Sequence, residues 1–382
     1  MTSKEIYEFL HKRWEEPTGI PLLLNAPSLK EALPEFQDTD RILITGSTGG
    51  SKTTMVFRIV IDMISYCLKN PSKSDVLVLY DCIELPVIEM YIKFLQFVFY
   101  KKLNKEYTRA RILNRNQNGF DEELEHDFKL IQPSIDAFNS KIRFVRHFTP
   151  SEFGNYCTAI LDDLHEIKYE GGKKIVGKRK NPKLKVVIVV DTTDSFSADS
   201  MLKLNKQESV KYWNKHYTNK LLGNTYGCIM LNVQQQDVSS QSAVFYKGER
   251  VDAKFTPSSE NLSVDKESPR DHSLVLGVMN PFRFHIKEIE GMKISIFKSS
   301  LNLLYVLKSN FSTTGIMIPI YTNYNTLTFE EVPNALTHPT LYKSFLKQKG
   351  LLENEGVNFL ISPAKAQFEQ LFNKENGNIE LE

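Results

Sequence analysis

The sequence predicts an α/β fold: a mostly parallel central sheet, helices on both faces, and a C-terminal antiparallel extension. Three observations predict it. From Arg41 to Gln234 short apolar runs alternate with stretches of helical spacing ten or more residues long, and helix-length crossovers join parallel strands. Val76–Tyr80 (VLVLY) and Val186–Asp191 (VVIVVD) are unbroken instead of alternating, as strands buried on both faces must be. Beyond Ser273 the connectors shorten, which suits strands that pair with their neighbours in sequence.

Taken in order, Ser3 to Trp14 has helical spacing, Pro17–Gly19 breaks it, and a second amphipathic segment follows. Arg41–Thr45 (RILIT) is a strand running into glycines, and Lys52 to Lys69 is a helix. The strand Val76–Tyr80 leads to a helix from Leu85 to Tyr100. Asp121 to Phe138 reads as a helix, Lys141–Arg146 as a strand, and Ser151 to Ile167 as a helix followed by a Gly- and Lys-rich loop. Val186–Asp191 is the most hydrophobic run, and a long helix from about Met201 to Leu222 precedes the strand Cys228–Gln234. Residues 237–270 are rich in Ser, Asp, Glu and Lys and read as a surface loop. Ser273–Met279, Lys293–Phe297, Leu303–Leu307 and Gly315–Ile320 are four strand-like runs, assigned to the antiparallel extension. This divides the chain into a helical extension at 1–40, a main domain at 41–330 and a helical tail at 331–382.

Composition narrows the function classes. Over 382 residues a formal net charge of +2 gives no global attraction to nucleic acid or membrane, so polyanion binding has to come from local patches. Cys67, Cys82, Cys157 and Cys228 are widely spaced with no CxxC pair, which reads as ordinary thiols in a reducing compartment. The charged N-terminus is no signal peptide and no stretch reaches the length needed to span a bilayer, so a cytoplasmic protein without membrane contact is expected.

Gly46 to Thr54 reads GSTGGSKTT, between a strand and a helix. A phosphate-binding loop is written G-x-x-x-x-G-K-[ST], and Gly46, Lys52 and Thr53 fit it while Ser51 replaces the second glycine. Glycines such as Gly49 and Gly50 let backbone N–H groups wrap phosphate oxygens, and the helix after Ser51 presents its positive end to the same anion. Lys52 reaches the β- and γ-phosphates, Thr53 binds Mg²⁺ through its hydroxyl, and Thr54 continues the cradle. The competing reading is a plain Gly/Ser turn. Serine at a glycine position costs on the order of 1 kcal/mol of strain. ATP with Mg²⁺ is the expected ligand, and the core is a RecA-like P-loop NTPase.

Such a loop needs a carboxylate on a neighbouring strand to hold Mg²⁺ through water. Asp191 closes the Val186–Asp191 run and supplies it, with Asp194 a weaker candidate; capping the next helix is the alternative role. A base for water activation is expected where Asp81 and Glu84 follow the Val76–Tyr80 strand. Glu84 is preferred, against the alternative of a first-turn acid that steadies a helix dipole. Gln234, in the run VQQQ, is placed to sense the γ-phosphate or touch DNA, against the plainer role of a polar loop start.

In this order the pieces resemble replicative DNA helicases of the DnaB-like type, particularly versions carried by tailed phages. PTGI at Pro17–Ile20 looks like the family's entry to its RecA-like domain, and GSTGGSKTT, the strand before Glu84, VVIVVD and the strand into Gln234 follow in family order. ENLSVDKESPRDHSLVLGVMNPFRF (Glu260–Phe284), LLYVLKSNFSTTGIMIPI (Leu303–Ile320) and TFEEVP extend the likeness to roughly residues 15–335. The resemblance implies a motor that translocates on single-stranded DNA as a homo-oligomeric, hexameric ring, with ATP between subunits and primase or other replisome proteins as partners. It also implies a K-x-R pair that completes the neighbour's site. Here that position reads Lys308, Ser309, Asn310, so the lysine is kept and the arginine is not; Arg283 is the candidate substitute. The family's N-terminal helical domain is expected to be missing, because only about 40 residues precede the loop.

Two further segments bear on DNA. Lys173 to Lys185 (KKIVGKRKNPKLK) holds seven basic residues, either a solvated loop or a phosphate contact. The other is the loop with Phe245, Tyr246, Lys247 and Arg250, which suits single-stranded backbone and bases. The departures at Ser51 and Asn310 keep a second function open, an ATP-binding RecA-like protein with weak turnover acting as a loader, recombination factor or structural partner. A DNA-packaging ATPase is a third.

Overall fold

Arg41–Gly46 (β1) sits inside a nine-stranded sheet, and its apolar residues Ile42, Leu43 and Ile44 are all buried. Ile42 and Ile44 join the main core on one face, while Leu43 packs with Leu262 and Val275 on the other. Burial from both sides is why the run shows no alternation. The computed structural model describes residues 2–4, 7–8, 11, 19–49, 51–114, 121–237, 245–246, 249–250 and 256–352, with backbone alone for 245–246 and 249–250.

Parallel to β1 run Asp75–Asp81 (β2), Ile142–Val145 (β3), Leu184–Val190 (β4), Ile229–Gln235 (β5) and Leu274–Met279 (β6). Leu301–Ser309 (β7), Met317–Asn323 (β8) and Thr328–Glu331 (β9) continue antiparallel. The order across the sheet is β9-β8-β7-β6-β1-β5-β4-β2-β3. Register aligns the strand ends: Gly46 stands opposite Gln235 and Val278, Val190 opposite Asn232, and Asp81 opposite Val190. Every C-terminal end of the central strands therefore meets at one edge, where ligands bind in open parallel sheets.

Helices cover both faces. On one, Lys52–Lys69 (α1), Val87–Leu103 (α2) and Glu122–Asn139 (α3) close the larger core, with Phe57 set edge-on to Tyr80 and Phe138. On the other, Pro150–Leu164 (α4) contributes Phe153, Cys157 and Leu161 against Trp213 and Tyr217. Local sequence sets the starts: Asp121 caps α3 by accepting from Leu124 N, and Thr149 and Glu152 form a reciprocal capping box on α4. The four cysteines are buried and none is in a disulfide.

Several expectations need correction. Leu274–Met279 pairs parallel with β1, so the antiparallel extension begins only at Leu301. The short connectors after it hid a crossover that had already brought the strand back beside β1. Lys293–Phe297 is not a strand of this sheet, because only Lys293 is in a strand, the short Met292–Lys293 paired with Glu288–Ile289, and Ile294–Phe297 forms a helical turn with Ile294 and Phe297 buried one turn apart. Thr328–Glu331 adds a last strand beyond the runs expected to be strands. The helix expected to reach Ile167 stops at Leu164, and the loop after it is a β-hairpin, His165–Glu170 with Lys173–Arg179. Gly171 and Gly172, at φ 56° and 77°, make its two-residue turn. The long helix starts at Lys206, not Met201, and widens to π-type from Trp213 to Thr225.

Near the N-terminus a helix Pro27–Ala32 lies between the paired strands Ile20–Pro21 and Glu35–Phe36, whose Ile20 and Phe36 belong to the main core. Most of the helix expected over Ser3 to Trp14 lies outside the described residues, as do Pro17 and Thr18. In the tail the helix Pro339–Gln348 packs Tyr342 and Leu346 against Leu301 and Leu303, and residues from 353 on are outside the described set.

Close packing of α4 gives a test. A Cβ built on Gly154 would lie 2.1 Å from the buried Tyr217 ring. Gly154→Ala is expected to destabilise the protein by about 1–3 kcal/mol, seen as a lower Tm in thermal unfolding; an unchanged Tm would refute this packing.

Candidate nucleotide-binding site

Between β1 and α1 the backbone turns tightly enough to exclude side chains. A Cβ on Gly46 would come within 2.1 Å of Val278 O, and Gly49 has a left-handed φ of 70°. Gly50 lies outside the described residues. Ser51 also adopts the left-handed region, at φ 69° and ψ 12°, which explains why glycine is the expected residue there. Lys52 opens α1 and is buried, with Nζ donating to Gly46 O at 3.0 Å and Ser47 O at 2.8 Å. Burial lowers its pKa, while the nearby acids Glu84, Asp191 and Asp194 oppose that shift.

Thr53 Oγ1 donates to Asp191 Oδ1 at 3.0 Å, and Tyr80 OH donates to Asp191 Oδ2 at 2.9 Å. Asp191 follows β4 directly and is buried, which raises its pKa to about 6, although both hydroxyls favour the ionised form. Lysine, threonine and carboxylate thus come together at the sheet edge, as their order in the sequence leads one to expect. Among the described residues no group of three or more His, Cys, Asp or Glu stands ready to hold a metal alone. A phosphate loop needs no such group, since its cation is held mainly by phosphate oxygens, one hydroxyl and water.

Lys52 and Thr53 line a cavity of about 400 Å³ that also takes in Glu84, Lys93, Gln235, Asn280, Arg283 and Tyr324, with Asp191 set behind Thr53. Glu84 is exposed and its backbone N–H donates to Asp191 O at 3.2 Å, so it stands at the mouth of the site. Lys93, on α2, donates to Thr54 Oγ1 at 3.1 Å, and burial lowers its pKa. Arg283 donates to Thr48 O and lies against Gly49. Asp194 accepts from Gln235 N at 2.6 Å and from Ser263, so both of its carboxylate oxygens are engaged in fixing the end of β5.

Two expected residues are elsewhere. Gln234 is fully buried and donates to Asp265 O at 3.2 Å while accepting from Ser268 Oγ at 2.6 Å. Neighbours on a strand point to opposite faces, so Gln235, not Gln234, reaches the cavity, with Oε1 3.4 Å from Thr48 Oγ1. Lys308 sits near the far end of β7, opposite Val275, and donates to Pro269 O and His272 O, both at 2.7 Å. It is not at its own chain's cavity. Asn310 N donates to Ser273 O at 2.9 Å.

The basic run from Lys173 is largely engaged within the chain. Lys174 bonds Asp162, Arg179 and Lys185 bond Asp38, and Lys180 bonds Asp163 O. The side chains of Phe245, Tyr246, Lys247 and Arg250 lie outside the described residues. No described helix is long and apolar enough to cross a membrane.

No protein-family model and no curated protein matches the sequence. Solved structures do. One described as an ATPase domain superposes with a TM-score of 0.59 at 11% identity, over 85% of this chain and 95% of that one. A DnaB-like replicative helicase, described with its interactions with primase, gives 0.56 at 11% identity, over 86% of this chain and 67% of that one. The fold is that of a DnaB-like helicase motor domain. At this identity the likeness establishes the fold, while the chemistry has to be read from the residues.

Asp81 illustrates a carboxylate that the site does not use. It is buried beside Asp191, Oδ1 accepts from His147 N at 2.9 Å, and Oδ2 has no hydrogen-bond partner. Burial raises its pKa to about 8, so the fold favours the protonated acid. The unfolded chain releases that proton near pH 4, hence stability falls as pH rises from there through about 8. In Asp81→Asn the drop in Tm between pH 5 and pH 8 should shrink; an unchanged drop would mean that Asp81 is ionised in the fold.

Proposed function

We propose that the chain is an ATP-hydrolysing DNA helicase motor that works as a ring on single-stranded DNA. The observation that carries this is the contact of Thr53 with Asp191 beside buried Lys52, inside a helicase-type fold. The residues present fit Mg²⁺-ATP: Gly46, packed on Val278 O, and Gly49, at a left-handed φ, give the loop its tight turn, and the N-terminus of α1 faces the cavity that Lys52 and Thr53 line. With Mg²⁺-ATP bound, Lys52 would hold phosphate oxygens in place of its two loop carbonyls, and Thr53 and Asp191 would hold the cation. When bound, Mg²⁺ neutralises charge on the phosphates as the terminal one leaves.

Glu84, at the mouth of the cavity, is the base that takes the proton of the attacking water. Gln235 takes the phosphate-sensing role expected of Gln234. Arg283 supplies within the same chain the positive charge that the residue at Asn310 lacks. Lys308 serves the neighbouring subunit of the ring, and primase, which the DnaB-like structure's description names as interacting with that helicase, is the proposed partner class. A cytoplasmic setting, in a phage-infected host if the gene is viral, accompanies this reading.

The experiment is ATP binding and turnover with and without single-stranded DNA, in wild type and Lys52→Ala. Loss of the charged bonds to phosphate is expected to weaken ATP binding by a factor of about ten to a hundred and to abolish DNA-stimulated turnover. A variant that binds ATP as tightly as wild type would overturn the site assignment. Turnover that DNA does not stimulate would remove the helicase reading and leave an ATPase that acts independently of DNA.

A further inference from the structure

We infer that Tyr324 and Asn302 form a polar latch on Ser51 that holds the phosphate loop in its binding shape, an inference that rests on the nucleotide site proposed above. Ser51 stands where the loop pattern has glycine and adopts the left-handed backbone at φ 69°. That conformation is strained for any residue with a Cβ. Relaxation to the right-handed region would relieve the cost and turn the loop amides away from their common centre. Something has to oppose this.

The hydroxyl that glycine lacks is where the opposition acts. Ser51 Oγ lies 2.5 Å from Tyr324 OH and 3.3 Å from Asn302 Oδ1. The partners are themselves fixed. Asn302, buried on β7, donates through Nδ2 to Tyr324 OH at 3.1 Å and to Thr322 Oγ1 at 2.9 Å. Asn280, just after β6, donates to Asn302 Oδ1 at 3.3 Å and to Ser299 O at 2.7 Å. Tyr324 OH also reaches Ser299 O, at 3.3 Å. A serine in a strained conformation is thus tied to β7 and to the end of β8 through side chains whose own geometry is set by the sheet. Breaking one neutral hydrogen bond changes an equilibrium by a factor of roughly two to ten, so the contacts that Ser51 Oγ makes with Tyr324 and Asn302 act together against the strain.

Tyr324 is therefore a positioning residue, acting through Ser51, and this differs from a ring that touches the nucleotide itself. The two roles separate in a double-mutant cycle of wild type, Tyr324→Phe, Ser51→Gly and the double variant. Two readouts are taken: hydrogen exchange of the backbone amides of residues 47–54 without nucleotide, and the Kd for the slowly hydrolysed analogue ATPγS with Mg²⁺. Tyr324→Phe alone is expected to speed exchange in the loop and to weaken ATPγS about three- to tenfold. In the Ser51→Gly background the same change should move neither readout, because the hydroxyl that Tyr324 holds is gone. Equal effects in both backgrounds, or no effect of Tyr324→Phe on exchange in wild type, would overturn the latch. If wild type binds no ATPγS, the nucleotide-site reading fails, and the exchange cycle still decides whether the latch exists.

Discussion

A carboxylate buried at the end of β4 is the constraint around which the site is arranged. Asp191 has almost no contact with solvent, and an isolated ion in that position would cost several kcal/mol. Thr53 and Tyr80 each give it a hydrogen bond, and Lys52 supplies nearby positive charge. One of these hydroxyls comes from the helix after the phosphate loop and the other from β2. Holding Asp191 therefore fixes the relation of loop, α1 and two parallel strands. Parallel register makes this possible, since it brings the ends of β1, β2, β4 and β5 to one edge of the sheet.

Much of this was legible in the sequence because it is local. Lys52, Thr53 and the glycines lie within one turn of chain, and Asp191 follows directly on an apolar run that could only be a buried strand. The position of Glu84 beside the loop, just after β2, was legible for the same reason. What the sequence concealed depends on distant pairing or on strand parity. Gln234 and Gln235 look alike in VQQQ, and only register with β1 decides which side chain enters the cavity. Tyr324, Asn302 and Lys93 reach the site from elements whose local sequences carry no phosphate-binding signature. The parallel pairing of β6 was hidden likewise, because short connectors after it suggested a hairpin partner.

Gln234 has a different use once its face is known. It belongs to a buried polar set in which Asn214 bonds Asp265 and Ser268, and Asn232 joins Trp213, Thr218 and His272. Burial lowers the His272 pKa to about 4, so it takes part as neutral imidazole. The Asn214 amide oxygen is the one buried acceptor of this set without a hydrogen-bond partner among the described residues, and the remaining bonds anchor residues 265–272 behind β5. Ser51 shows the complementary principle. A residue that breaks a motif is tolerated where its added atom finds partners, and here those partners lie 251 and 273 residues further along the chain.

Lys52, Thr53 and Asp191 are proposed to form a single triphosphate–cation site. Its most direct test is the anomalous diffraction of crystals grown with ATPγS and Mn²⁺ in place of Mg²⁺. A manganese peak in direct contact with Thr53 Oγ1, with Asp191 one water away and the phosphates against the loop amides, is the predicted result. Nucleotide bound elsewhere, or manganese at a site remote from Asp191, would contradict it.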